Sequence, residues 1–196
     1  MTEIRKKKLA VLVSGTGTNL QAIIDAIKNG DLIDTEIVVV ISNKKDAYAL
    51  ERAKNEGIKT FFCESDGKLI ELINAYKVDL IVLAGYTRIL TEQFVNAFPN
   101  KIINVHPALL PDFGGKGMYG HKVHEAVLKS RVKESGCTVH FVTLKVDSGP
   151  IIAQRKVPVM PDDTVETLSK RILVEEHDLL VESIKKILSS PHYALL

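Results

Sequence analysis

The chain has 196 residues, 45% of them hydrophobic and none tryptophan, and a formal net charge of +2. One globular domain over residues 1–196 fits that length and buries roughly 70% of its unfolded surface without disulfide or metal staples; so small a charge argues against nucleic acid as a partner. With no apolar span of about 18 residues and no leader-like N-terminus, no membrane association is expected and the expected compartment is the cytoplasm.

Apolar runs rich in β-branched residues alternate with segments of helical period, without repeats or low-complexity linkers. That alternation reads as βαβ units on a mostly parallel twisted sheet, an α/β fold with helices on both faces. Arg5-Lys-Lys-Lys8 is a solvated lead-in to a first strand, Leu9 to Val13. After Ser14-Gly-Thr-Gly-Thr-Asn19 comes a helix whose Leu20, Ile23, Ile24 and Ile27 follow the i, i+3, i+4, i+7 spacing, closed by Gly30. Ile37 to Ile41 is a second strand, Ala47 to Glu56 a helix, Thr60 to Cys63 a third strand, Leu69 to Tyr76 a helix and Leu80 to Ala84 a fourth strand. Thr91 caps a short helix to Ala97, and Ile102 to His106 is the fifth strand. Pro107 to Gly120 is too rich in proline and glycine for a regular element. A helix from His121 to Lys129 follows. The strands Gly136 to Thr143 and Ile151 to Val157, joined by a short turn, extend the sheet as an antiparallel pair. Asp163 to Leu188 forms a long helix with Asp163 as N-cap and Glu166 at N3. Cys63 and Cys137 lie in or beside apolar runs without CxxC spacing, as buried free thiols of a reducing compartment do.

Asn104 and His106 end the apolar run Ile102-Ile103. Strand alternation puts both on one face, Pro107 stops the ladder, and ligands of open α/β sheets bind at that carboxyl end. Alone, the pattern equally fits a structural asparagine and a surface histidine flanking a turn. Gly15-Thr-Gly17-Thr-Asn-Leu20 stands where a dinucleotide fingerprint would, but Leu20 replaces the third glycine and Ser42-Asn43-Lys44 supplies no acid. A small anion site remains: glycines let the backbone approach, and helix N-terminal N–H groups with the Thr18 and Asn19 side chains face a phosphate. The same turn also occurs with nothing bound. Asp147, in Val146-Asp-Ser-Gly-Pro, reads by itself as a turn-former bonding its own backbone. Glu175 and Glu176 read as an exposed helix face, and His121 with His124 as a surface pair. His140, His177 and His192 have no metal-ligand spacing, and no metal is expected.

Ser14 to Gln21, Leu83 to Leu90, Asn104 to Pro111, and Gly136 to Thr143 with Asp147 to Pro150 together resemble the phosphoribosylglycinamide formyltransferase family, the folate-dependent transformylases of purine synthesis. The resemblance covers nearly the whole chain. It implies a Rossmann-like formyltransferase fold with the ribonucleotide site in the N-terminal half and the folate site and catalytic residues in the C-terminal half. The implied reaction passes a formyl group from 10-formyltetrahydrofolate to the amine of 5-phosphoribosylglycinamide, without a covalent enzyme intermediate. Asn104, His106 and Asp147 match the catalytic trio, Gly17, Thr18 and Asn19 the phosphate site, and Glu176 a glutamate that holds the ribonucleotide. Thr87, Arg88, Ile89 and Leu90, with Asn104, match the segment that receives the folate.

Elementary chemistry agrees with that trio. Amine attack on a formyl carbon develops an oxyanion for which Asn104 N–H and a protonated His106 are suitable donors. A histidine can shuttle the proton to the departing nitrogen, and a carboxylate at Asp147 would raise its pKa. Three departures stand out. Cys63-Glu-Ser-Asp-Gly-Lys68 is short and lacks the arginine that meets the folate tail in many members, leaving Lys68 as a substitute. Leu173 replaces a polar helix residue, and Gly114 to Gly120 differs from the commoner proline-containing loop. Methionyl-tRNA formyltransferase and formyltetrahydrofolate deformylase share the trio but carry a further tRNA-binding or N-terminal regulatory domain, for which no segment is expected here. A non-enzymatic nucleotide-binding module would use the Gly15 to Asn19 loop without needing the trio. The expected partners are two small molecules, with a monomer and a homodimer both open.

Overall fold

The computed structural model describes residues 5–190; His192 lies outside them. Seven strands form one sheet in the order β3-β2-β1-β4-β5-β6-β7. In chain order they are β1 (Lys7–Val13), β2 (Thr35–Ser42), β3 (Thr60–Phe62), β4 (Leu80–Leu83), β5 (Ile102–His106), β6 (Glu134–Phe141) and β7 (Ile151–Pro158). The helices are α1 (Thr18–Lys28), α2 (Tyr48–Asn55), α3 (Asp66–Tyr76), α4 (Glu92–Ala97), α5 (His121–Ser130) and α6 (Val165–Ser189). The first five strands are mutually parallel. β6 runs antiparallel to β5 and β7 antiparallel to β6.

The two-residue alternation of a strand divides the core into two layers. Leu9, Val11 and Val13 of β1 pack with Leu20 and Ile23 of α1 and with Leu168, Ile172 and Leu179 of α6. Ala10 and Leu12 face the other way, onto Leu69 and Ile73 of α3 and Phe94 of α4. Both faces of the central strands are therefore covered, which is why they read as unbroken apolar runs.

Two places differ from the sequence reading. The link between β6 and β7 is the irregular loop 142–150 rather than a short turn. Its Gly149 is obligatory, because a Cβ there would stand 1.8 Å from the Phe141 carbonyl oxygen. The cap of α6 is Thr164, not Asp163, and its reciprocal partner is Thr167 rather than Glu166. Asp163 is drawn aside into two bonds with Arg171, at 2.7 and 2.8 Å, and a third from the Met160 N–H.

Candidate active site

The order of the sheet reverses at β1, from which the chain runs out to β3 and returns to β4 on the other side. Loops leaving β1 and β4 diverge at such a point and open a crevice beyond the strand ends. Ser14, directly after β1, ties its rim together: its hydroxyl donates to Asn43 Oδ1 at 2.5 Å and accepts the Thr87 N–H at 2.9 Å. The crevice is a cleft of about 360 Å³ whose walls include the ends of β4 and β5, the glycine-rich loop, Asn19 and Glu176.

At its floor Asn104 and His106 project from one face of β5. Antiparallel pairing sets Asn104 opposite His140 and His106 opposite Thr138 on β6, so the facing side chains meet. His140 donates from Nδ1 to the Phe141 carbonyl at 2.9 Å, which leaves Nε2 to accept the Asn104 amide at 3.2 Å. That network orients the asparagine with its NH₂ toward β6. His106 donates from Nε2 to the Phe113 carbonyl at 2.9 Å, turning Nδ1 toward Asp147 Oδ2 at 3.6 Å.

Asp147 is not a turn-former bonding its own backbone. At a left-handed φ of 52° its carboxylate reaches inward, with Oδ1 3.6 Å from His140 Nε2 and Oδ2 accepting the Gly115 N–H at 2.9 Å. The turn is closed instead by Ser148, whose N–H donates to the Lys145 carbonyl. At 3.6 Å the carboxylate is beyond direct hydrogen bonding to either ring, but close enough to hold positive charge there. Burial alone would raise its pKa; His140, His106 and the Gly115 N–H together bring it below the usual carboxylate value. His106 does not follow the expected rise. Burial pulls its pKa below the ordinary histidine value, and Asp147 and the Phe113 carbonyl only partly oppose this.

The first-loop residues divide. Gly17 is left-handed, with φ 76°, and a Cβ would lie 2.6 Å from Ala49 Cβ, so packing against α2 by itself already demands the glycine. Gly15 has open space around it, and Thr18 is half-buried at the start of α1. The Asn19 side chain turns away from the loop to donate to Glu176 Oε2 at 2.9 Å. Glu176 is only 8% exposed, contrary to the solvent-facing reading, while Glu175 pairs with Arg155 at 2.9 Å. Burial raises the Glu176 carboxyl to about 7, against the Asn19 hydrogen bond.

Thr87, Arg88, Ile89 and Leu90 all line the cleft. The Arg88 guanidinium is committed elsewhere, to Asp66 at 2.6 Å and to the Glu64 carbonyl, and Asp66 in turn accepts the Thr91 N–H. That leaves the exposed Ile89 and half-buried Leu90 as an apolar shelf. Lys116 lines the cleft and Lys68 does not. His124, read as surface, is buried in the cleft wall, and desolvation lowers its pKa to about 4. Sequence reasoning missed His140 and His124; the two-residue spacing of Thr138 and His140 was the available signal for the former. Both cysteines are buried and free. Among the described residues no helix is long and apolar enough to cross a membrane, and no group of three side chains suits a metal ion.

A parallel sheet with an antiparallel C-terminal pair, bearing an asparagine, histidines and an aspartate at a strand-end cleft, defines the class. Residues 7–184 match the Formyl transferase family, and the chain belongs to that family of one-carbon transferases. The relatives are more particular. The chloroplastic phosphoribosylglycinamide formyltransferase of Arabidopsis thaliana is 45% identical over 94% of the chain and 66% of its own length. The chain thus spans just under two thirds of that plant relative. The phosphoribosylglycinamide formyltransferase of Haemophilus influenzae is 44% identical over 91% of the chain and 86% of its own length. The solved glycinamide ribonucleotide transformylase 1 of Symbiobacterium toebii superposes with a TM-score of 0.87 at 45% identity, covering 93% of this chain and 88% of its own.

Proposed function

We propose that this chain transfers the formyl group of 10-formyltetrahydrofolate to the amine of 5-phosphoribosylglycinamide in purine synthesis. The observation that carries the reading is the convergence of Asn104, His106, His140 and Asp147 at one point of a cleft whose wall also holds Asn19 and Glu176. The cleft volume suits a drug-sized ligand. The shelf of Ile89 and Leu90 offers a flat heteroaromatic ring apolar cover, and Lys116 is placed for an anionic tail. Arg88 supports the shelf through Asp66 instead of touching the folate. Gly17 and Thr18 present backbone N–H groups to the substrate phosphate, while Glu176, held by Asn19, receives the ribonucleotide.

In this reading Asn104 donates its second amide hydrogen to the oxygen on which negative charge develops as the amine adds to the formyl carbon. His106, kept neutral by burial, takes the proton released by the amine and returns it to the departing folate nitrogen, so protons balance across the step. Asp147 holds the ring while it is charged. His140 is a positioning residue that orients Asn104. Both substrates must be present together, and no covalent enzyme intermediate forms. The buried free thiols at Cys63 and Cys137 fit a cytoplasmic setting.

Replacing Asn104 or His106 with alanine tests the assignment. Each change should lower turnover by about two to four orders of magnitude with ribonucleotide affinity nearly intact. Full turnover in either folded variant would remove that residue from the chemistry.

A further inference from the structure

Helix α2 shapes the anion loop from behind. The Ala49 N–H donates to the Gly15 carbonyl at 3.0 Å, and Arg52 Nε–H donates to the Thr16 carbonyl at 2.7 Å. The Gly17 carbonyl accepts the Gln21 N–H at 2.9 Å as α1 begins. Three successive carbonyls are thereby fixed. In a planar trans peptide the N–H points opposite to the C=O, so the N–H groups of Thr16, Gly17 and Thr18 are each turned away from the group that holds the carbonyl before them. Arg52 is itself immobilised: Nη1 donates to Gln21 Oε1 at 3.1 Å and the guanidinium lies over the Tyr48 ring, 5.0 Å from its centroid. Gly17, packed on Ala49, leaves the loop no slack on this side.

We propose that Arg52 is a positioning residue for phosphate recognition: by holding the Thr16 carbonyl it aims the Gly17 N–H at the ligand and adds positive charge behind the loop. It does not touch the reacting atoms. The inference rests on the phosphate role proposed above for Gly17 and Thr18. A charge-assisted bond at the back of a loop predicts a loss confined to the anion.

The test uses Arg52→Met and Arg52→Lys in the full chain, with circular dichroism to establish folding. Steady-state constants for both substrates are measured, together with calorimetric binding of inorganic phosphate. Arg52→Met should raise the Michaelis constant for the ribonucleotide about tenfold and weaken phosphate binding in parallel, with the folate constant and saturating turnover within about twofold. Arg52→Lys, which keeps a charge and a donor, should recover part of that loss. A folded Arg52→Met with unchanged ribonucleotide and phosphate binding overturns the proposal, as does an equal loss toward both substrates. Should Arg52→Met not fold, Arg52→Lys decides alone: an unaltered ribonucleotide constant overturns the proposal, and a rise of about threefold or more confined to the ribonucleotide supports it. If the wild-type chain formylates no ribonucleotide yet binds phosphate about tenfold more tightly than Arg52→Met, the positioning role stands and the transferase reading fails.

Discussion

His106 has both ring nitrogens facing acceptors, the Phe113 carbonyl at 2.9 Å and the Asp147 carboxylate at 3.6 Å, yet burial holds its pKa low. The ring is therefore neutral in the free protein and gains a stabilising neighbour once a proton arrives. Asp147→Asn removes the largest influence that raises His106, so the ring should titrate at still lower pH by NMR. Turnover should fall by about two orders of magnitude across the neutral range, with the deficit narrowing in acid, where the wild-type ring protonates before that of the variant. Unchanged turnover and an unmoved titration would confine Asp147 to holding the Gly115 loop. Glu176 gives the opposite linkage. Its carboxyl is raised from 4.5 to about 7, so the unfolded chain ionises first and stability is lost as pH rises between those values. Glu176→Gln should therefore melt higher than wild type at pH 8, with the gain fading toward pH 4.5, while its ribonucleotide constant rises. A lower melting temperature at pH 8 would show that the ionised carboxylate is satisfied in place.

At the scale of elements, the start of α6 tests how far local rules reach. Both Asp163 and Thr164 qualify as caps by residue type, and the choice falls to Thr164 because Arg171, eight residues on, captures Asp163. That ion pair depresses the Asp163 carboxyl, with Arg171 as the largest cause. Its contribution is thus present above the unfolded value of 3.8 and is lost as pH falls through the folded value. Asp163→Asn should lower stability at pH 7 by about 1 kcal/mol, roughly 2–4 °C in Tm, with the difference disappearing in acid. A difference that persists unchanged at pH 2 would assign the loss to shape rather than charge. The buried parallel strands were legible because both faces are covered and the apolar runs are continuous. The link after β6 was not, since its compact look in sequence hides a longer loop that brings Asp147 within 3.6 Å of His106 and His140.

Across the whole molecule, the cleft gathers residues from the ends of β4, β5 and β6, the loops after them and four helices, and only part of that convergence is written locally. Asn104 and His106 announce themselves by strand spacing and a proline. His140 does not, because its partnership depends on the β5–β6 register, which no local pattern specifies. Glu176 lies 157 positions from Asn19, and nothing in the charge pattern of α6 distinguishes it from its neighbour Glu175, which pairs with Arg155. Gly17 was legible as a required glycine, but its close neighbour Ala49, on a different helix, was not. In the proposed reaction these residues pass a formyl group directly between two small molecules. The most direct measurement follows the fate of a carbon-13 formyl group supplied on 10-formyltetrahydrofolate, by NMR and mass spectrometry, with and without 5-phosphoribosylglycinamide. Label is expected in a new formamide on the ribonucleotide, matched mole for mole by tetrahydrofolate, with no turnover when the ribonucleotide is withheld. Labelled formate released at the same rate whether or not the ribonucleotide is present would contradict direct transfer.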